Sequence, residues 1–212
     1  MSADYVFLIQ ARMSSARFPG KVLASLNGIP ILARVVNQLA EAVSRHDIVV
    51  ATSDQPSDDP IAAYAPALGV DCFRGPLDDV LERFRMYART RACQWVGRIS
   101  ADSPLLDADV VRRVVDARTT GRADLVTTTF PRTLPAGQNV ELIRVDSLMR
   151  LPDEELTADD REHVTAFFYR HAERFVIHNV ESRRPVVAGE SLAVDTLEDL
   201  RRLEKLSGVR AG

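Results

Sequence analysis

The 212-residue chain is poor in the features that mark several large classes of protein. It has only two cysteines, Cys72 and Cys93, with neither C-x-x-C spacing nor histidine neighbours, so no disulfide framework and no zinc site is signalled. Both are expected to be small core residues of a protein kept in a reducing cytoplasm. No apolar run approaches the ~20 residues that a membrane-spanning helix needs, and the opening Met1-Ser2-Ala3-Asp4-Tyr5 lacks a charged and then apolar leader pattern. A membrane partner is therefore not expected. An excess of positive charge is also missing: 30 acidic against 27 basic residues give a net charge of −3, which argues against a generic nucleic-acid binder and requires the cations to act locally. Repeats, low-complexity segments and linkers are absent, as is any Ser-His-Asp or Cys-His pattern of a covalent nucleophile. An apolar content of 46% is enough for a sizeable core, and one domain over residues 1–212 is expected.

What the sequence does have is a polar loop set immediately behind an apolar run. Phe7-Leu8-Ile9 reads as a buried strand. Gln10-Ala11-Arg12-Met13-Ser14-Ser15-Ala16-Arg17-Phe18-Pro19-Gly20-Lys21 then holds three cations, two hydroxyls, a proline and a glycine before the pattern turns apolar at Val22-Leu23. Arg12, Arg17 and Lys21 can neutralise phosphate charge, while Ser14, Ser15 and the Gly20 amide can hydrogen-bond phosphate oxygens. A nucleoside triphosphate is the expected ligand. The loop is not a Walker A, because no glycine stands five residues before Gly20 and no Ser or Thr follows Lys21; nor is it G-x-G-x-x-G.

Further along, strand and helix patterns alternate. Pro30 opens a helix with apolar residues at Ile31, Leu32, Val35, Val36 and Leu39, and Asp47–Thr52 reads as a strand ending in the polar tip Ser53-Asp54-Gln55. Asp58-Asp59-Pro60 starts a helix that Gly69 stops, a short strand covers Val70–Phe73, and an amphipathic helix follows Arg74-Gly75-Pro76-Leu77-Asp78. Gln94–Ile99 is a strand that delivers Asp102 just past its carboxyl end, where open α/β sheets bind ligands. Helix 108–118, strands near 124–129 and 139–143, a helix from about Arg161 through His171, strands at 175–180 and 192–194, and a final helix complete the pattern. Arg183, Arg184 and Pro185 fall on the loop between the last two strands, and Thr196 with Asp199 reads as a capping box, which leaves Asp195 without a structural duty. The alternation predicts a three-layer α/β domain with a mainly parallel sheet. A carboxylate such as Asp102 suits the hard Mg²⁺ that a triphosphate requires.

The string Q-A-R-M-S-S-A-R-F-P-G-K-V-L resembles the opening motif of the cytidylyltransferases that make CMP-activated sugar acids, the acylneuraminate and 3-deoxy-manno-octulosonate type, and particularly the branch of spore coat polysaccharide biosynthesis proteins. Phe18 stands where that family usually has Leu. Later stretches are similar too: Arg74-Gly75 through Asp79-Val80-Leu81, Arg98-Ile99-Ser100-Ala101-Asp102-Ser103-Pro104-Leu105-Leu106-Asp107, Arg161-Glu162-His163-Val164-Thr165, and Val194-Asp195-Thr196-Leu197-Glu198-Asp199-Leu200. The resemblance implies a Rossmann-like nucleotidyltransferase fold with one antiparallel strand, and a homodimer reached across by the segment around residues 130–145. It also implies Mg²⁺ on Asp102 and Asp195, with Arg12, Lys21 and these two aspartates carrying catalysis. Nucleotide contacts are expected from Gln10, Ala11, Arg12, Ser14, Ser15, Arg17, Lys21, Ser53, Asp54, Arg74, Asp78 and Arg98. Acceptor contacts are expected from Asn139, Glu141, Arg161 and His163. Asn139 stands where the family commonly has Asp, which removes a charge from the acceptor side.

The expected reaction is attack of an acceptor oxygen on the α-phosphorus of CTP with release of pyrophosphate. A sugar acid is the implied acceptor, and a small phosphonate is the alternative. A metal-dependent glycosyltransferase using a nucleotide sugar would use the same kind of sheet and carboxylates, and a catalytically silent nucleotide-binding regulator is a third reading.

Overall fold

The computed structural model describes residues 4–183 and 190–209, with side chains through residue 206. Arg184 and Pro185 lie outside the described residues. Seven strands form one sheet: β1 Tyr5–Gln10, β4 Ile48–Ser53, β5 Asp71–Gly75, β6 Trp95–Ser100, β7 Leu125–Thr127, β8 Glu141–Arg144 and β9 Ile177–Asn179. Their order is β5-β4-β1-β6-β8-β7-β9, and β8 alone of the seven runs against the rest. A mainly parallel mixed sheet with one antiparallel strand is the expected fold. The other two strands, β2 Ser25–Leu26 and β3 Ile29–Pro30, make a hairpin that the helical reading of this region overlooked. Its signal is the Asn27-Gly28 pair, whose φ values of 48° and 79° meet the left-handed requirement of a tight hairpin turn.

Alternation along the strands sorts side chains to two apolar layers. One layer joins Phe7, Ile9, Val50, Ile99, Val126 and Leu142 to helices α1 Ile31–Ala40, α4 Ala108–Ala117 and α8 Leu197–Val209. The opposite layer joins Val6, Leu8, Val49, Val96, Leu125 and Ile143 to α3 Val80–Thr90, α5 Val145–Met149 and α7 Ala166–Arg170. Helix α2 Asp59–Tyr64 follows β4, and the Thr157 capping box starts α6 Ala158–Glu162.

Two expectations differ from the structure. The helix expected from Arg161 through His171 is two short helices, because His163 leaves helical geometry at φ −111° and ψ 81° between α6 and α7. Leu192–Val194 is not a strand: one bridge joins Ser191 to Ala136, and the Val194 amide donates instead to the Asp102 carbonyl at 2.8 Å. That bond ties the approach to α8 onto the turn after β6.

Gly97 of β6 lies beside Phe7 in the register of β1. A Cβ built there would stand 2.2 Å from the Phe7 ring, so the aromatic packs where a side chain would be. Gly97→Ala should therefore cost about 1–3 kcal/mol of stability. Urea denaturation checks this: a lowered midpoint is expected, and an unchanged one would mean that the ring yields without cost.

Candidate active site

Because β1, β4 and β6 are parallel, their carboxyl ends open on one edge of the sheet, and the antiparallel β8 brings its first residue, Glu141, to the same edge. The loop after β1 folds on itself there. The Met13 carbonyl accepts from the Ser15 and Gly20 amides, both at 2.9 Å, and Gly20 takes φ +73° to turn the chain into a short 3₁₀ turn, Lys21–Leu23. That turn sends the Lys21 side chain inward, where it is 11% exposed.

Three oxygens from distant parts of the chain meet the Lys21 ammonium. Asp102 Oδ2 lies at 2.8 Å, Asp195 Oδ1 at 3.0 Å and the Val194 carbonyl at 2.9 Å. Arg17 Nη2 reaches the same Asp195 oxygen at 3.1 Å. Asp195 is held by its own neighbourhood, since its amide and that of Thr196 donate to the Asp199 carboxylate at 3.1 and 2.9 Å. The Thr196–Asp199 box therefore caps α8 and fixes the backbone of Asp195 together.

Lys21, Arg17, Asp102 and Asp195 line one side of a cavity of about 380 Å³, toward the lower end of the size of small-molecule sites. Its other walls come from Gln10, Arg12, Ser15, Arg98, Ser100, Glu162 and His163. Arg12 Nη2 bonds Glu162 Oε1 at 3.0 Å across the mouth. Arg98 bonds Gln10 Oε1 at 3.1 Å and Glu141 Oε2 at 2.6 Å. Glu141 itself is 3% exposed and also accepts from Thr165 Oγ1 at 2.7 Å and Tyr169 OH at 2.5 Å. Burial opposes its charge, but the Arg98 cation and the two hydroxyls outweigh burial and hold its carboxyl below the usual range. Burial and the neighbouring Glu141 charge push the Tyr169 phenol well above its ordinary value, so it stays a donor.

The cavity thus brings together Gln10, Arg12, Ser15, Arg17, Lys21, Arg98, Asp102, His163 and Asp195 among the residues singled out from sequence. Others stand apart from it. Ala11 is buried with its amide on Ala51, Ser14 faces solvent, and Ser53 is buried beneath Asp58. Arg74 is committed to the Ser53 and Gln55 carbonyls and to Asp59, while Asp54 and Asp78 are exposed on the same side of the sheet edge. Asn139 accepts from Arg132 at 2.7 Å, and Arg161 is paired with Asp79 at the start of α3.

Two contributors were not picked out from sequence. Glu162 sits in the quoted R-E-H-V-T string, but its partner Arg12 is 150 positions away. Asp58 was read as a helix start; it is fully buried and accepts from the Met13 amide at 2.7 Å as well as from Thr52 and Ser53. It thereby pins the polar loop to the end of β4.

The profile of the family described as Cytidylyltransferase matches residues 6–209. The chain belongs to that family, whose members are CTP-dependent nucleotidyltransferases. It is 28% identical over 209 residues to the spore coat polysaccharide biosynthesis protein SpsF of Bacillus subtilis, covering 96% of this chain and 86% of that protein. The fold superposes with a TM-score of 0.91 on a cytidylyltransferase from Leptospira borgpetersenii, at 28% identity and with 98% and 88% of the two chains covered. A CMP:2-keto-3-deoxy-manno-octonic acid synthetase solved with CTP shares the fold at a TM-score of 0.73 and 17% identity, over 99% of this chain and all of that one. Membership of this family sets aside the glycosyltransferase reading.

Burial raises the Asp58 carboxyl, but the hydrogen bonds from Ser53, Met13 and Thr52 more than offset it, so the folded pKa lies below the ordinary 3.8. The stability this group contributes is then complete above that unfolded value and is lost as pH falls through the lower folded one. Asp58→Asn should cost about 1–3 kcal/mol at pH 7. The gap to wild type should narrow in chemical denaturation near pH 3; a gap independent of pH would contradict the ionised, hydrogen-bonded role.

Proposed function

We propose that this protein transfers CMP from CTP to an anionic acceptor, a sugar acid of the kind named for the 2-keto-3-deoxy-manno-octonic acid synthetase, and releases pyrophosphate. The observation that carries the reading is the convergence of Asp102, Asp195 and the Val194 carbonyl on a single cationic centre. An all-oxygen set of two carboxylates and a carbonyl fits Mg²⁺, which takes few protein carboxylates and completes its shell with phosphate and water. Among the described residues no third His, Cys, Asp or Glu joins them. Asp102 and Asp195 would hold the ion, and when bound it would neutralise and polarise the phosphate that is attacked.

The remaining work falls to the chain's own cations. With the carboxylates engaged elsewhere, Lys21 and Arg17 turn from Asp102 and Asp195 to the β- and γ-phosphates and stabilise the departing pyrophosphate. Arg12 joins them by leaving Glu162, and Ser15 can donate a hydrogen bond. In the reaction, the bond from the acceptor oxygen to the α-phosphorus forms as the α–β bridging bond breaks. Pyrophosphate leaves with that electron pair, and the acceptor hydroxyl proton passes to solvent. Little covalent chemistry is asked of the protein, which contributes position and charge. A cytoplasmic setting and a homodimer reached across by the segment around residues 130–145 belong to the same proposal. No helix among the described residues is long and apolar enough to cross a membrane.

Asp102→Asn and Asp195→Asn should each remove most CTP-dependent pyrophosphate release, with the fold retained by circular dichroism; normal release by either folded variant would take that residue out of the metal site. Lys21→Ala should weaken CTP binding by about 1.5–3 kcal/mol, the scale of a charge-assisted hydrogen bond. Isothermal titration calorimetry in Mg²⁺ checks this, and an unchanged affinity would overturn the role of the loop.

A further inference from the structure

The cavity has two chemically different walls. Lys21, Asp102 and Asp195 stand beside Val22, Ala101 and Val194, which belong to the apolar layer under α1, α4 and α8. Gln10 and Arg98 follow the alternation of Leu8 and Val96, and so project from the opposite face, toward α6 and α7. On this second wall Arg98 is held from two directions. Its Nε donates to Gln10 Oε1 and its Nη1 to Glu141 Oε2, while Nη2 donates to no described residue and Arg98 lines the cavity. A guanidinium fixed by two of its nitrogens and presenting the third is pre-organised to bind an oxyanion with little further loss of side-chain freedom.

Glu141 is the group that fixes it. Its Oε2 faces Arg98, in direct register across β6 and β8, and its Oε1 takes hydroxyls from Thr165 and Tyr169, four residues apart on one side of α7 and its start. Tyr169 is itself seated on Thr127 at 2.8 Å and Thr129 at 2.9 Å, which lie at the end of β7. A buried carboxylate satisfied by three donors, one from β6 and two from α7 and its start, cannot turn toward a ligand, so Glu141 acts through Arg98.

We propose, resting on the cytidylyltransferase reading, that Arg98 Nη2 binds the oxyanion of the acceptor and that Glu141 is the positioning residue that aims it, leaving the Lys21 wall to the triphosphate. This proposal moves Arg98 from the nucleotide, where the sequence groups it, to the acceptor, and keeps Glu141 on the acceptor side, acting through Arg98. The oxyanion is a carboxylate if the acceptor is a sugar acid and a phosphonate if it is not.

The test separates the two ligands. Wild type, Arg98→Lys, Glu141→Gln and Tyr169→Phe are assayed for pyrophosphate release with CTP, Mg²⁺ and either 3-deoxy-manno-octulosonate or 2-hydroxyethylphosphonate, and CTP binding is measured alone by calorimetry. Turnover of one acceptor and not the other identifies the oxyanion. Arg98→Lys keeps the charge but loses the fork, and should raise KM for that acceptor about 10- to 100-fold while CTP affinity stays within twofold. Glu141→Gln should raise the same KM, and Tyr169→Phe should do so more weakly, again with CTP affinity unchanged. If Glu141→Gln does not fold, the Arg98 and Tyr169 variants carry the test. A change in CTP affinity with acceptor KM unaltered in Arg98→Lys overturns this inference alone. Absence of turnover by the wild type with both acceptors overturns it together with the proposed function.

Discussion

A lysine ammonium gathered between two carboxylates is the contact on which the rest of this site depends. Lys21 reaches Asp102 and Asp195, which lie 81 and 174 positions further along the chain. The Lys21 side chain is 11% exposed and those of Asp102 and Asp195 21% and 41%, so the cluster sits between a surface ion pair of little worth and a buried one that is costly to break. Charge is balanced locally: Lys21 and Arg17 offset Asp102 and Asp195. Such an arrangement ties the loop, the β6 turn and the approach to α8 together. In the proposed function, the same two carboxylates and two cations would exchange partners when a triphosphate and a divalent ion bind.

Pre-organisation of this kind has to be built outward. Asp58 anchors the loop at Met13, the Val194–Asp102 backbone bond aligns the two aspartate-bearing segments, and the Asp199 carboxylate holds the Asp195 backbone. On the other wall, Glu141 links the floor of the cavity to the start and body of α7. The three carboxylates Asp58, Asp199 and Glu141 are each a buried or half-buried acceptor with several donors, the form in which a polar group in a protein interior fixes geometry and avoids the cost of an unmet hydrogen bond.

How far the sequence discloses this depends on whether the signal is local. Strands such as Phe7–Ile9 and Asp47–Thr52 are legible because continuous apolar runs bounded by polar tips have few other readings. The placement of Asp102 beyond a buried strand is legible from the same pattern. Its meeting with Asp195 is not, since spacing carries no distance across a sheet; that pairing entered through motif resemblance. Glu162 and Asp58 were missed because each acts on a partner 150 or 45 positions away. Leu192–Val194 misled because Val194 packs into the core with Leu192 against it, without a ladder of hydrogen bonds. Arg74 shows the reverse case, a cation in a suggestive motif whose donors are spent on the carbonyls of Ser53 and Gln55.

The most direct test of the account is thermal unfolding with Mg²⁺ in the presence of CTP, UTP, GTP, ATP or a nucleotide sugar. Selective stabilisation by CTP that disappears with chelator is predicted, worth about 2.7 kcal/mol at a concentration a hundred times the dissociation constant. Equal response to every triphosphate, preference for a nucleotide sugar, or no metal-dependent shift with CTP would contradict it.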